Sequence, residues 1–152
     1  MSHPFRAAAA LLALVPLLAA TPAPKAAMHA HPPVAHGPKV VKMADGLQYT
    51  DLVVGKGPEA HAGEEATVQY IGTLANGKKF DASLDHQPDG FKFNLGGHQV
   101  ITCWDEGVAS MHVGGKRKLT CPPNIAYGAA GAGGVIPPNA TIFFEVQLLS
   151  VK

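Results

Sequence analysis

Four groups of side chains in this sequence could carry chemistry: three histidines between residues 29 and 36, two cysteines, ten aromatic residues, and an aspartate directly behind a phenylalanine. No HExxH, GxSxG or P-loop pattern occurs, so no motif points to zinc hydrolysis, an activated serine or a phosphate cradle. His29, His31 and His36 lack a Cys or carboxylate at ligand spacing and read as solvated linker histidines; no metal and no cofactor is expected. Asp81 follows Phe80 in a strand-like stretch, which points the two side chains to opposite faces unless the chain bends there. A hydrogen bond that pins such a bend is one reading of Asp81; a charge beside a binding site is another. Each aromatic, taken alone, has a plain explanation in one small core.

The elements that must position these residues are legible by alternation. Leu47 to Val54 reads as a strand ending at the Gly55–Gly57 turn. In ATVQYIGTL, Val68, Tyr70 and Leu74 share one face, and Thr67, Gln69 and Thr73 the other. Asn76-Gly77 reads as a hairpin turn, since both residues tolerate positive φ. The chain then returns through Lys78, Lys79 and Phe80. Phe91, Phe93 and Leu95 alternate again, Lys116 to Cys121 forms a further candidate, and Ile142, Phe144, Val146 and Leu148 line one face of the last strand. Only Thr102 to Met111 has helical spacing, with Trp104, Val108 and Met111 on one stripe. Thr102 is a candidate cap, Asp105 and Glu106 suit the first turn, and Gly114-Gly115 is the expected stop. The fold class expected is α+β: an antiparallel sheet of five to six strands curled around one short helix that buries Trp104.

The chain has 152 residues, enough for one domain and an appendage. With 12 basic and 11 acidic residues its charge gives no reason to expect nucleic acid or an anionic membrane as partner. The 17 glycines and 13 prolines favour a turn-rich fold over a helical bundle. Arg6 followed by the apolar run Ala7 to Ala20 has the layout of a secretion signal. The run is short of the roughly 20 apolar residues a spanning helix needs, and Pro16 interrupts it. Residues 1–20 are therefore expected as a signal peptide with cleavage between 20 and 30, and 21–44 as a Pro/Ala/His-rich linker. Residues 45–152 remain as the folded domain. The expected destination is periplasmic or secreted, with no stable membrane association once the signal is removed.

Four segments carry a resemblance: VQYIGTLANGKKFDAS (68–83), FKFNLG (91–96), QVITCWDEGVASMHVGGKRKLT (99–120) and AYGAAGAGGVIPPNATIFFEVQLL (126–149). In order, spacing and turn glycines, residues 45–152 resemble the FKBP family of peptidyl-prolyl cis/trans isomerases along nearly their whole length. The resemblance implies an aromatic-walled pocket on the inner face of the sheet, walled by Tyr70, Phe80, Phe91 and Phe144, with Trp104 as its floor. Val100 and Ile101 would flank it, and Tyr127 and Ile136 would stand at the rim. The Ile101 N–H and the Tyr127 hydroxyl would donate to carbonyls of a bound peptide, and Asp81 would act on the rotating amide by charge or by orientation. Ala132 and Gly133 stand where a His-Pro pair is common in the best-known members, a rim change that bears on selectivity. The segment DHQPDG (85–90) is polar for a hydrophobic grip.

In the family's layout Cys103 opens the helix and Cys121 ends a strand that lies close to it. That layout, with an even cysteine count in an exported chain, implies a disulfide; two buried free thiols are the alternative. The function implied is isomerisation of X–Pro bonds in exported or folding polypeptides. A proline-segment binding or holdase module without turnover is the alternative, and a metallochaperone built on the linker histidines is a weak third. Expected partners are proline-containing polypeptides and macrolides of the tacrolimus and rapamycin type, with no nucleic acid. A monomer is expected, since the linker is too Pro-rich to make a dimerisation helix.

Overall fold

The computed structural model describes residues 38–152; the expected signal segment, the linker histidines and most of the linker lie outside the described residues. Seven strands and one short helix follow one another as β1 (Val40–Lys42), β2 (Gln48–Val53), β3 (Glu65–Leu74), β4 (Lys79–Ala82), β5 (Phe91–Asn94), α1 (Thr102–Gly107), β6 (Lys116–Cys121) and β7 (Ile142–Val151). Short 3-10 turns occupy Ser83–Asp85, Pro123–Ile125 and Gly128–Ala130. All six strands read from alternation form. The seventh is β1, inside the stretch read as linker, so the sheet begins ahead of residue 45. Val40 and Val41 suit a strand, and their antiparallel pairing with Thr50 and Tyr49 depends on the turn that Asp45 closes by accepting from the Leu47 N–H.

The sheet runs in the order β1-β2-β6-β7-β3-β4, all antiparallel, with β5 also on β3. One edge of β3 is shared: β5 pairs with Glu65 to Val68, and β4 pairs with Ile71 to Thr73. Gln69 and Tyr70 lie between the two partners. There the Tyr70 N–H donates to the hydroxyl of the fully buried Ser83, at 2.9 Å. Strand alternation puts Val68, Tyr70, Phe144, Val146, Leu148 and Leu119 on the concave face, against Cys103, Trp104 and Val108. Fully burying one such aliphatic side chain contributes about 1.5–3 kcal/mol.

The helix is shorter than its apolar stripe. It ends at Gly107, and Val108 and Met111 reach the core from the chain that follows it. Thr102 is the first helical residue, not the cap; the capping position is Ile101, which has no side-chain oxygen to offer. Asp105 instead turns away from the helix and accepts from the Gly96 N–H at 2.9 Å and the His98 N–H at 3.2 Å, tying α1 to the end of β5. A Cβ on Gly107 would stand 2.8 Å from a methyl carbon of Leu119, so glycine lets the helix end lie against β6. Cys103 and Cys121 are fully buried at the same contact, with Cα atoms 5.7 Å apart and their sulfurs joined.

Arg117 closes the other end of the helix. Its Nε and Nη2 donate to the two carboxylate oxygens of Asp51 on β2 at 2.6 and 3.2 Å. Its Nη1 donates to the Gly107 and Ala109 carbonyls at 3.0 and 3.2 Å, and its guanidinium lies 4.0 Å over the Tyr49 ring. One buried side chain thus satisfies helix-end carbonyls that have no partner within α1. Arg117→Met would leave those carbonyls and Asp51 unpaired. Leaving those groups unpaired should lower unfolding free energy by about 1–3 kcal/mol in a denaturant titration; an unchanged midpoint would contradict this role.

Candidate active site

A cleft of about 550 Å³, counting its open mouth, lies between the concave face and the loops around α1. Tyr70, Phe80, Asp81, Phe91, Gln99, Val100, Ile101, Trp104, Tyr127 and Phe144 line it. Ile136, expected at the rim, lies outside this set of lining residues. It is 5% exposed and packs into the core, its N–H bonded to the Ala132 carbonyl. The exposed end of that glycine-rich loop is Val135.

The aromatic walls meet edge to face. Trp104 takes Tyr70, Phe144 and Phe91 at ring-centroid distances of 4.7, 5.1 and 5.8 Å with interplanar angles of 77°, 85° and 82°. Phe80 meets Phe144 edge-on at 5.7 Å. Phe93, buried behind the cleft, stacks on Phe91 at 5.9 Å and backs Trp104 at 5.6 Å. Such contacts add about 0.5–1.5 kcal/mol each beyond area burial and fix ring orientation. Gly72 makes the Phe80–Phe144 wall possible: a Cβ there would come within 2.6 Å of Phe80 and 2.8 Å of Phe144.

The bend that would let Asp81 share a face with Phe80 is present. Gly72 faces Asp81 across the β3–β4 pair, but Thr73 faces Lys79, so Phe80 is an extra residue in a bulge. The bulge lets consecutive side chains, Phe80 and Asp81, reach the same cleft. Both readings of Asp81 describe it: Oδ1 accepts from the Ala82 N–H at 2.9 Å, pinning the bend, and the carboxylate lines the cleft. Oδ2 accepts from the Tyr70 hydroxyl at 2.6 Å, and Oδ1 also lies 2.9 Å from Nε2 of His86. Ser83 donates to Gln69 Oε1, and Gln69 Nε2 donates to the Pro88 carbonyl at 2.6 Å, so β3 anchors the segment that carries His86.

Burial works against the charge of Asp81, but the Tyr70 hydroxyl, His86 and the Ala82 N–H outweigh it and hold the carboxyl below its ordinary range. Tyr70 is pushed well up, by burial first and then by its bond to Asp81. Burial, and after it the charge of Asp81, also raise Tyr127. The cleft therefore presents one carboxylate and two protonated phenols at neutral pH. Among the described residues the Ile101 N–H has no acceptor, and the buried indole N–H of Trp104 has none either. No cluster of three or more His, Cys, Asp or Glu at metal-binding range occurs among the described residues, and no helix there is long and apolar enough to cross a membrane.

Residues 57–149 match the family of FKBP-type peptidyl-prolyl cis-trans isomerases. The chain belongs to that family. It is similar to "FK506-binding protein" of Neisseria meningitidis serogroup B, 57% identical over 106 residues that are 70% of this chain and 96% of that protein. It is 56% identical over 111 residues to "FK506-binding protein 4" of Dictyostelium discoideum, covering 73% of this chain and only 30% of that longer protein. Among solved structures, a peptidyl-prolyl cis-trans isomerase of Pseudomonas syringae matches with a TM-score of 0.67 and 38% identity, over 77% of this chain and 84% of that one. The FKBP fold expected from the sequence is the fold observed.

Three contributors escaped the sequence reading: Gln99, whose Oε1 accepts from the Asn94 N–H at the cleft edge, Ser83 and His86. The polarity of the 85–90 segment was the signal for His86. Tyr70→Phe removes a donor to ionised Asp81, so the Asp81 carboxyl should titrate at higher pH in the variant, toward the ordinary value. Carboxyl-carbon NMR titration reads this directly; an unmoved midpoint would show that the Tyr70 bond does not hold the charge.

Proposed function

We propose that this protein is a peptidyl-prolyl cis/trans isomerase that turns X–Pro bonds of exported or folding polypeptides without covalent chemistry. The observation that carries it is the bulge at Phe80 and Asp81, which sets a carboxylate against an aromatic cleft floored by Trp104. The X–Pro bond resists rotation because amide resonance imposes a barrier of about 18–20 kcal/mol. No bond is broken in the turnover, so the site needs only to favour the twisted amide over both planar ones.

The proline ring fits over Trp104 among Tyr70, Phe91 and Phe144, where water is excluded from the amide. The planar amide is the more polar form and loses more on dehydration. The unpaired Ile101 N–H and the Tyr127 hydroxyl supply donors for peptide carbonyls on either side of the ring. In the twisted amide the carbonyl carbon becomes electron-poor, and the Asp81 charge stabilises that state more than the planar ones. Val100 and Phe80 complete the apolar wall. Val135 and its glycine-rich loop meet the residue before proline, which makes this rim the setter of sequence preference. Macrolides of the tacrolimus and rapamycin type occupy the same cleft in this reading. The protein acts as a monomer.

In a cis-to-trans relaxation assay on a short X–Pro peptide, the purified protein should accelerate exchange and rapamycin should suppress the acceleration. Asp81→Val should lower kcat/KM about tenfold or more, and Tyr127→Phe about two- to tenfold, each read on protein that circular dichroism shows to be folded. A folded wild-type protein that binds such peptides and accelerates nothing would be a proline-binding module instead.

Export is supported by the Arg6-led apolar run and by the pairing of its only two cysteines at one buried contact. We read Cys103–Cys121 as a disulfide in the mature protein, formed outside the cytoplasm. Thiol titration after denaturation of oxidatively purified protein should find no free thiol; two per chain would remove this part of the reading.

A further inference from the structure

Asp81 is gripped from two sides, by Tyr70 and by His86. Tyr70 holds Oδ2; His86 Nε2 lies 2.9 Å from Oδ1, on a side chain that is 45% exposed and open to proton exchange with solvent. His86 is placed there by the 3-10 turn Ser83–Asp85, its N–H donating to the Ser83 carbonyl at 3.1 Å. The same turn is locked to β3 through the Ser83 hydroxyl. The contact is therefore built into the fold rather than left to a free loop.

The other charged and titratable groups around the pair come from every neighbouring element. Tyr70 faces Asp81 from β3, and Tyr127 faces it across the cleft; both phenols titrate above their ordinary range and stay protonated. Lys79 on β4 is taken up by Asp85 at 2.7 Å. Asp89 and Lys92 line the same outer groove as His86 and bring opposite charges to it. Of the side-chain classes present, imidazole is the one whose charge ordinarily changes between about pH 5 and 8.

We propose that His86 is a positioning residue that makes the charge Asp81 presents to the cleft depend on pH. With His86 protonated, the pair is neutral overall and the carboxylate's field in the cleft is damped. With His86 neutral, its Nε2–H still orients the carboxylate, but the full negative charge faces the rotating amide. The inference rests on the isomerase reading above, in which that charge favours the twisted state. Catalysis should then be greater at the pH where His86 has lost its proton than where it holds it.

The test is kcat/KM of the full chain on an X–Pro peptide without titratable groups, from about pH 5 to 8 at constant ionic strength. The wild type should rise about two- to fivefold, the range expected of a half-exposed ion pair. His86→Gln keeps a neutral donor and should be flat near the high-pH level of the wild type. His86→Arg keeps a permanent cation and should be flat near the low-pH level. A wild-type profile that is flat or falling, or a step that survives in His86→Gln, overturns the role of His86 while leaving the isomerase intact. No acceleration by the wild type at any pH removes the underlying reading instead.

Discussion

A six-residue helix has no stability of its own, because nucleating the first turn costs more than so few hydrogen bonds return. α1 exists because the concave face of the sheet covers it, and much of the domain can be understood as the means of that covering. Gly107 removes the Cβ that would hold the helix off Leu119. Cys103 meets Cys121 at the same contact, Asp105 ties the helix start to β5, and Arg117 collects the carbonyls at its end. Trp104 is the product of these constraints: a large ring held on four aromatic neighbours, with one face left for the cleft.

The polar part of the site follows a similar logic. Phe80 and Asp81 are adjacent in sequence, and regular pairing would separate them onto opposite faces. The bulge against Gly72 and Thr73 brings both inward, and the same residue pair that bends the strand lines the cleft. Asp81 spends its acceptor capacity on the Tyr70 hydroxyl, the Ala82 N–H and His86, so its charge is both fixed in position and tunable by its surroundings. Nothing in the geometry calls for a nucleophile.

Strands were legible in the sequence wherever one face is buried, since burial is what imposes alternation: Ile142 to Leu148 is the clearest case. The helix was legible in kind but not in length. Val108 and Met111 hold helical spacing and are buried, yet the backbone leaves the helix at Gly107, and spacing alone cannot register that. β1 was missed because three residues carry too short a pattern to separate from a Pro-rich approach. The aromatic wall was legible through its resemblance to a family rather than through periodicity. Arg117 and Ser83 were not legible at all, and His86 only through the polarity of its segment. Each acts through a partner distant in sequence or across a turn, and a charged or hydroxyl residue gives no local sign of the carbonyl or carboxylate it will meet.

The divided edge of β3 has a consequence for how such a domain can change over generations. β5 ends its pairing at Val68 and β4 begins at Ile71, and the backbone N–H of Tyr70 in the gap is satisfied by a side chain, Ser83, rather than by a strand. The register of either flanking strand is therefore independent of the number of residues between them. Side-chain changes in the 84–90 segment can alter the approach to the cleft without sliding a rung of the sheet, because Ser83 and the Gln69–Pro88 bond hold the segment in place. Such a gap separates the chemistry of the surface from the registration of the frame, and His86, which faces Asp81, is held at the boundary between them by the Ser83 turn.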